Sequence, residues 1–314
     1  MARTKKPIII ASGASDFSEA EKIINKVKKI NNQICLMQCN TNYTASKQNF
    51  KFINLNVLKL YNKKFKSILL GLSDHTLGHE TVLGAIALGA RMIEKHFTDN
   101  NSRNGPDHKF SMNPKTWREM IEKSRRAYFS NISYLDDKIG ELLTTLEETD
   151  QEAIIIFVSD HGDMLGERGL WFKMSFFEGS ARVPLMISTS KMLADTIDIP
   201  VSTIDLCPTI CELAGITMSE VTPWITGESL CGIMQGQKRQ NPVLMEYAAE
   251  ASHAPMVGIR KDQWKYTYCA LDPEQLFDLG NDPNELNNLA NEIDYKNILA
   301  TFRNIRKSNW DLER

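Results

Sequence analysis

The chain has 314 residues, of which 42% are hydrophobic, and a formal net charge of −2. That length can bury one large core or two medium ones, and the near-neutral balance argues against a nucleic-acid binder. No apolar run reaches the length of a membrane span.

The opening MARTKKPIIIASGAS has only a brief apolar stretch, and a charged helical pattern follows at once. It reads as a strand over Pro7–Ala11, with a secretory leader as the alternative. Phe17–Ile30 is amphipathic, with Ile23, Ile24, Val27 and Ile30 at helical spacing and Ser18 as a plausible cap. Gln33–Gln38 and Ser67–Leu72 read as strands, Glu80–Leu88 as a helix and Arg91–Glu94 as a fourth strand. Asn113-Pro114 opens another helix, with proline at its first position, running to about Glu148. Near-continuous apolar strands alternating with helices predict a parallel sheet covered by helices, an α/β fold. Polar residues at the C-terminal strand ends then belong to the site, here Gln38-Cys39-Asn40, Ser73-Asp74-His75 and Lys95-His96. Four such units make half of a closed eight-stranded barrel.

Further on, Ala153–Val158 and Val183–Ile187 read as buried strands and Thr203–Leu213 as a helix closed by Gly215. Pro242–Glu246, Met256–Arg260 and Trp264–Tyr268 read as strands, the last two forming a hairpin across Lys261-Asp262-Gln263. Trp264, Tyr266 and Tyr268 share one face by alternation. Helices near 283–290 and 294–307 finish the chain.

Charge is unevenly spread. Residues 1–123 carry 20 Lys and Arg against 10 Asp and Glu, whereas residues 124–314 carry 17 against 29. Such a shift marks a domain boundary, a change of partner or two differently solvated surfaces. The six cysteines contain no C-x-x-C pair, and no His or Cys partner stands at ligand spacing from Cys207 and Cys211. Reduced, mostly buried thiols in a cytoplasmic protein are expected.

Ser-Asp-His occurs twice, each time after an apolar run. His75 and His96 end two consecutive strands, so both imidazoles could reach one divalent ion, or each could hydrogen-bond to a loop. The loop Thr98–Met112, with Arg103, Gly105, Pro106 and Asp107, has the character of an anion- and sugar-contacting loop. In the second occurrence Asp160, His161, Asp163, Glu167, Arg168 and Lys173 crowd after a fully apolar strand. That density fits a hard-cation site beside an anion site, or a solvated charged loop.

Residues from about 6 to 123 resemble N-acetylneuraminate (sialic acid) synthase, through KPIIIASG, QCNTNYT, FINLNVLK, LGLSDHT, LGAIALGA and IEKHFTDNNSRNGPDHKFSMNP. The resemblance implies a TIM-type barrel, here a (βα)4 segment, that condenses phosphoenolpyruvate with N-acetylmannosamine using Mn²⁺ or Mg²⁺. It assigns His75 and His96 to the metal, Ser73 to a phosphate, Tyr43 to the aminosugar and Asp107 to an acidic site role. The match begins midway through that barrel, without the earlier strands that hold phosphoenolpyruvate.

Residues from about 125 to 307 resemble choline-sulfatase, of the alkaline-phosphatase-like sulfatase superfamily. The carrying stretches are RRAYFSNISYLDDKIGELL, FVSDHGDMLGERGLWFKMSFFEGSARVPLMI, PVSTIDLCPTICELAGI, MEYAAEAS and APMVGIRKDQWKYTYC. The resemblance implies Ca²⁺ at Asp160 and His161, a sulfate contact from Lys173, and Glu250 facing the trimethylammonium of choline. Sulfatases make their formylglycine nucleophile in a C-x-P-x-R motif, and Cys207-Pro208-Thr209 has neither its spacing nor its arginine.

Two segments, 1–123 and 124–314, are therefore expected, with a seam near residues 122–126. The nominal activity is hydrolysis of choline sulfate, impaired by the missing nucleophile; the alternatives are synthase-type condensation and a non-catalytic metal-binding fusion. The expected partners are small molecules, not nucleic acid or membrane. A half barrel exposes sheet edges and apolar surface, which the segments must bury on each other or in a homo-oligomer.

Overall fold

A computed structural model describes residues 1–43, 46–149, 152–190, 195–216, 224–248 and 254–310. It forms two compact units, one of Met1–Gln151 with Met164–Phe172, the other of Glu152–Asp163 with Lys173–Arg314.

The first unit is built on four parallel strands, β1 (Ile8–Ala11), β2 (Ile34–Cys39), β3 (Leu69–Asp74) and β4 (Met92–Lys95), in the order β1-β2-β3-β4. Helices α1 (Phe17–Lys28), α2 (Asn56–Lys64) and α3 (Glu80–Ala87) make the crossovers. Ile24 of α1, Leu36 of β2, Leu58 of α2, Leu72 of β3 and Val82 of α3 join a single core. The interior strand β2 is buried along nearly its whole length, as the apolar run Ile-Cys-Leu-Met demands of a strand covered on both faces. The fold is α/β with a half-barrel sheet, and β1 and β4 are its edges.

Asp16, not Ser18, caps α1. Its carboxylate accepts from the Glu19 amide while Glu19 reaches back to the Asp16 amide, a reciprocal box that leaves Ser18 inside the first turn. Helix α2 was not foreseen, because its lysines blur the apolar period. Helix α4 (Pro114–Glu148) is one continuous helix through residues 122–126, capped by Asn113 in a box with Thr116. Strands β5 (Ile155–Val158) and β8 (Leu185–Ser188) pair only with each other, antiparallel; β6 (Met164–Leu165) and β7 (Trp171–Phe172) form a small hairpin in the first unit.

Ala153–Val158 and Val183–Ile187 are not buried strands. Residues of β5 are all intermediate in exposure, and Met186 on β8 is 60% exposed. Two strands alone cannot cover their own faces.

The second unit's main sheet is antiparallel, in the order β12-β11-β10-β9, from β9 (Val243–Tyr247), β10 (Met256–Lys261), β11 (Trp264–Cys269) and β12 (Asp272–Asp278). The hairpin turn places Asp262 at φ 50°. Tyr266 is fully buried, and Trp264 and Tyr268 pack on the same core with Leu299 and Phe302 of the final helix, Lys296–Asn309. The helix expected near 283–290 does not form. Asn288 accepts from the Leu276 and Ala290 amides and donates to the Glu274 carbonyl, which ties the segment to β12 as a loop. Asparagine favours such local backbone bonds over a helix interior.

All six thiols are free; Cys35, Cys211, Cys231 and Cys269 are buried and Cys207 is exposed. No described helix is long and apolar enough to cross a membrane. Burial pushes the Cys35 thiol up to about 11. A raised thiol stays protonated at pH 8, so iodoacetamide at that pH should label Cys207 in the native chain and spare Cys35, as peptide mass mapping would show. Leu36→Ala should cost about 2–5 kcal/mol in urea unfolding, because Leu36 is fully buried in the first core.

Candidate functional site

The parallel register of β3 and β4 pairs Ser73 with Glu94 and Asp74 with Lys95. Residues 21 positions apart thereby become neighbours at the C-terminal tips. Ser73 donates to Glu94 Oε1 at 2.8 Å. Beneath them Lys95 Nζ lies 2.6 Å from Asp74 Oδ2, with both side chains fully buried. Lys95 also donates to the Thr76 carbonyl, and Asp74 accepts from the Thr76 amide and hydroxyl. This network fixes the turn that follows β3, and with it His75.

His75 and His96 are brought together, their ring centroids 5.1 Å apart. The His75 Nδ1 lies 2.7 Å from the Asn40 carbonyl oxygen, and the His96 Nδ1 lies 3.5 Å from Asp107 Oδ2. With Nδ1 protonated, each ring keeps an Nε2 lone pair to offer. An oxygen acceptor behind Nδ1 is also the usual support for a metal-bound imidazole. Burial, with a smaller push from His96, lowers the pKa of His75, so its neutral, ligating form is favoured.

The Tyr43 ring lies against His75, centroids 3.9 Å apart at a 41° tilt, and buried Phe110 lies 5.0 Å from His96. Burial raises the Tyr43 phenol and the Cys39 thiol above their ordinary values. The structure thus gathers Tyr43, Ser73, His75, His96 and Asp107 on one face. Sequence reasoning did not single out Glu94 or Phe110. The available signal for Glu94 was an acid inside the otherwise apolar Met-Ile-Glu-Lys strand.

The second Ser-Asp-His is looser. Asp160 is exposed, its side chain 84% accessible, and its Oδ2 lies 3.4 Å from His161 Nε2. The His161 amide donates to Asp160 Oδ1, which holds the Asp160 carboxyl below its ordinary range. His161 Nδ1 lies 2.9 Å from the Gly162 carbonyl, so Nε2 and Asp160 Oδ2 are left as two facing acceptors that one cation could bridge. Gly162 donates to the Ser180 carbonyl, and a side chain there would meet the Gly179 carbonyl oxygen at 2.3 Å. Lys173 is exposed, and its carbonyl accepts from Ser180 Oγ. Glu167 does not join this cluster; it pairs with Arg125 at 2.8 Å. Glu250 lies outside the described residues. Among the described residues, no group of three or more His, Cys, Asp or Glu is arranged to hold a metal ion.

Two family models match. Residues 1–132 match the NeuB family, and residues 166–309 match N-sulphoglucosamine sulphohydrolase, C-terminal. The chain therefore joins a NeuB-family segment to a sulfatase C-terminal segment. Within the second, it is similar to the choline-sulfatase of Rhizobium meliloti (strain 1021), 57% identical over 201 residues, covering 62% of this chain and 39% of that protein. An uncharacterized protein of Methanocaldococcus jannaschii is 38% identical over 129 residues, covering 40% of this chain and 36% of its own. The phosphonate monoester hydrolase of Agrobacterium radiobacter shares the fold, with a TM-score of 0.52 at 24% identity over 63% of this chain and 43% of that one. The chain spans less than half the length of each of these relatives.

Removing one partner of the buried pair strands a charge. Lys95→Met should cost about 3–5 kcal/mol in urea unfolding, and adding Asp74→Asn to it should recover part of that loss.

Proposed function

We propose that residues 125–307 are a sulfuric ester hydrolase segment of choline-sulfatase type, joined near residues 122–126 to a synthase-type segment over residues 6–123. The observation that carries this reading is the 57% identity to a choline-sulfatase over 201 residues. The reaction is hydrolysis of choline sulfate to choline and sulfate, with small molecules as its substrates.

Asp160 and His161 would hold Ca²⁺; when bound, that ion supplies positive charge against the sulfuryl oxygens. Lys173 would hold the sulfate by charge-assisted hydrogen bonding, and its exposure leaves the ammonium free to reach solvent-borne substrate. Glu250 would face the trimethylammonium. No C-x-P-x-R motif occurs in the 314 residues, so a low turnover is expected of this chain acting alone.

A second reading rests on the better-assembled cluster. His75 and His96, with Asp107 behind His96, would hold Mn²⁺ or Mg²⁺, Ser73 would meet a phosphate and Tyr43 an aminosugar, as condensation of phosphoenolpyruvate with N-acetylmannosamine requires. The 5.1 Å separation of the two imidazoles favours it. Either site could also bind its ion without turnover, the non-catalytic alternative.

Purified, Ca²⁺-loaded chain should release sulfate from choline sulfate slowly, and Lys173→Ala or Asp160→Ala should abolish the release. No sulfate above the uncatalysed rate overturns the hydrolase reading. In that case, condensation product with Mn²⁺ points to the synthase site. A metal-dependent rise in Tm without product, lost in His75→Ala or Asp160→Ala, points to ion binding alone at the affected site.

A further inference from the structure

One face of the antiparallel sheet takes the final helix, and the other takes a loop. Side chains alternate along β11, so Trp264, Tyr266 and Tyr268 turn to the helix and Lys265 turns the other way. Lys265 is 1% exposed, and its ammonium meets three oxygens. The Phe176 carbonyl accepts from Nζ at 2.7 Å, Glu178 Oε1 lies at 2.6 Å and Glu285 Oε1 at 2.7 Å. The second oxygen of Glu285 accepts from the Glu178 amide at 2.7 Å. Phe176 comes so close to β10 that a side chain at Gly258 would meet its ring at 3.1 Å. Phe177 packs on Phe277, centroids 6.2 Å apart. Residues 176–178 are thus clamped to the sheet.

The clamped segment leads into buried Ser180, whose amide donates to the Phe177 carbonyl. The Ser180 hydroxyl donates to the Lys173 carbonyl, and the Ser180 carbonyl accepts from the Gly162 amide at 2.8 Å. Gly162 in turn carries His161, whose Nδ1 lies 2.9 Å from the Gly162 carbonyl. One residue therefore joins the Asp160-His161 turn to the Lys173 turn, and the clamp fixes that residue. All of these groups belong to the second unit.

Stability alone does not account for such a clamp. Two carboxylates and an ammonium held out of water contribute no more than apolar packing of similar volume. Glu285 also keeps a left-handed backbone, φ 56°, which a residue with a Cβ adopts at a cost. What the charges supply is direction. An ammonium and its oxygens join β11, the 176–178 loop and the Glu285 loop in one arrangement.

We propose that Lys265, Glu178 and Glu285 are positioning residues for the second site, holding Lys173 and the Asp160-His161 pair in register through Ser180. The inference rests on the hydrolase reading for what those groups bind.

Two variants of the full chain test it. Lys265→Met with Glu178→Gln and Glu285→Gln removes the three charges together, so no unpaired ion stays buried and Tm should remain near the parent's. Glu285→Gln alone keeps the shape and removes one charge. In both, hydrogen exchange read by mass spectrometry should run about 10-fold faster over residues 159–163 and 174–182, with residues 296–309 unchanged. Sulfate binding to the Ca²⁺-loaded chain, read by calorimetry, should weaken about 10-fold in the triple variant and in the same direction in Glu285→Gln. A cluster that only stabilised the fold would not move that affinity at constant Tm. Three results overturn the proposal: exchange at the parent's rate in both variants, exchange rising equally over residues 296–309, or sulfate affinity unmoved by either variant although Lys173→Ala lowers it. Sulfate affinity that Lys173→Ala itself leaves untouched overturns the hydrolase reading instead, and the exchange rates then decide the positioning by themselves.

Discussion

The ion pair between Lys95 and Asp74 holds the first unit's site in place. It sits at matched positions of two parallel strands, out of water, with Thr76 hydrogen-bonded to both partners. A buried pair of this kind adds little net stability compared with apolar packing, but it tolerates no substitution of one partner. Its consequence is positional. The turn after β3 can take one course, which places His75 against the Asn40 carbonyl and beside His96. The half-exposed ring of Tyr43 then rests against His75.

The two Ser-Asp-His stretches differ for a physical reason. The first ends a strand flanked on both sides, by β2 and β4, so its polar tip is framed by neighbours. The second follows β5, which among the described residues pairs with β8 alone. There Asp160 projects into solvent, with the His161 amide and ring against it. The same tripeptide becomes a framed site in one sheet and a solvated corner in the other. That contrast places the better-formed geometry in the NeuB-family segment and the stronger sequence likeness in the sulfatase segment.

Uncovered surface recurs across the molecule. The parallel sheet ends in edges at β1 and β4, β8 exposes Met186, and helix α4 exposes Ile132, Leu135 and Leu142. Exposed apolar surface of this extent seeks a partner.

Much of this was legible beforehand. The four strands of the parallel sheet, the capped start of α4 at Asn113 and the hairpin carrying Trp264, Tyr266 and Tyr268 follow from local rules of period, capping and turn chemistry. The gathering of His75 and His96 followed from chain order, since consecutive parallel strands put their tips side by side. Helix 283–290 failed because Asn288 found its partners on β12, at Leu276 and Glu274, which are distant in sequence. Ser18 lost its cap to Asp16 because a carboxylate two residues earlier could close a box with Glu19. By itself the sequence determined most of the helices and strands, where the charge changes sign and which side chains can ligate. Only the tertiary structure decided which of those side chains are framed and which are bare. Burial and strand register depend on neighbours that arrive from elsewhere in the chain, and no local pattern contains them.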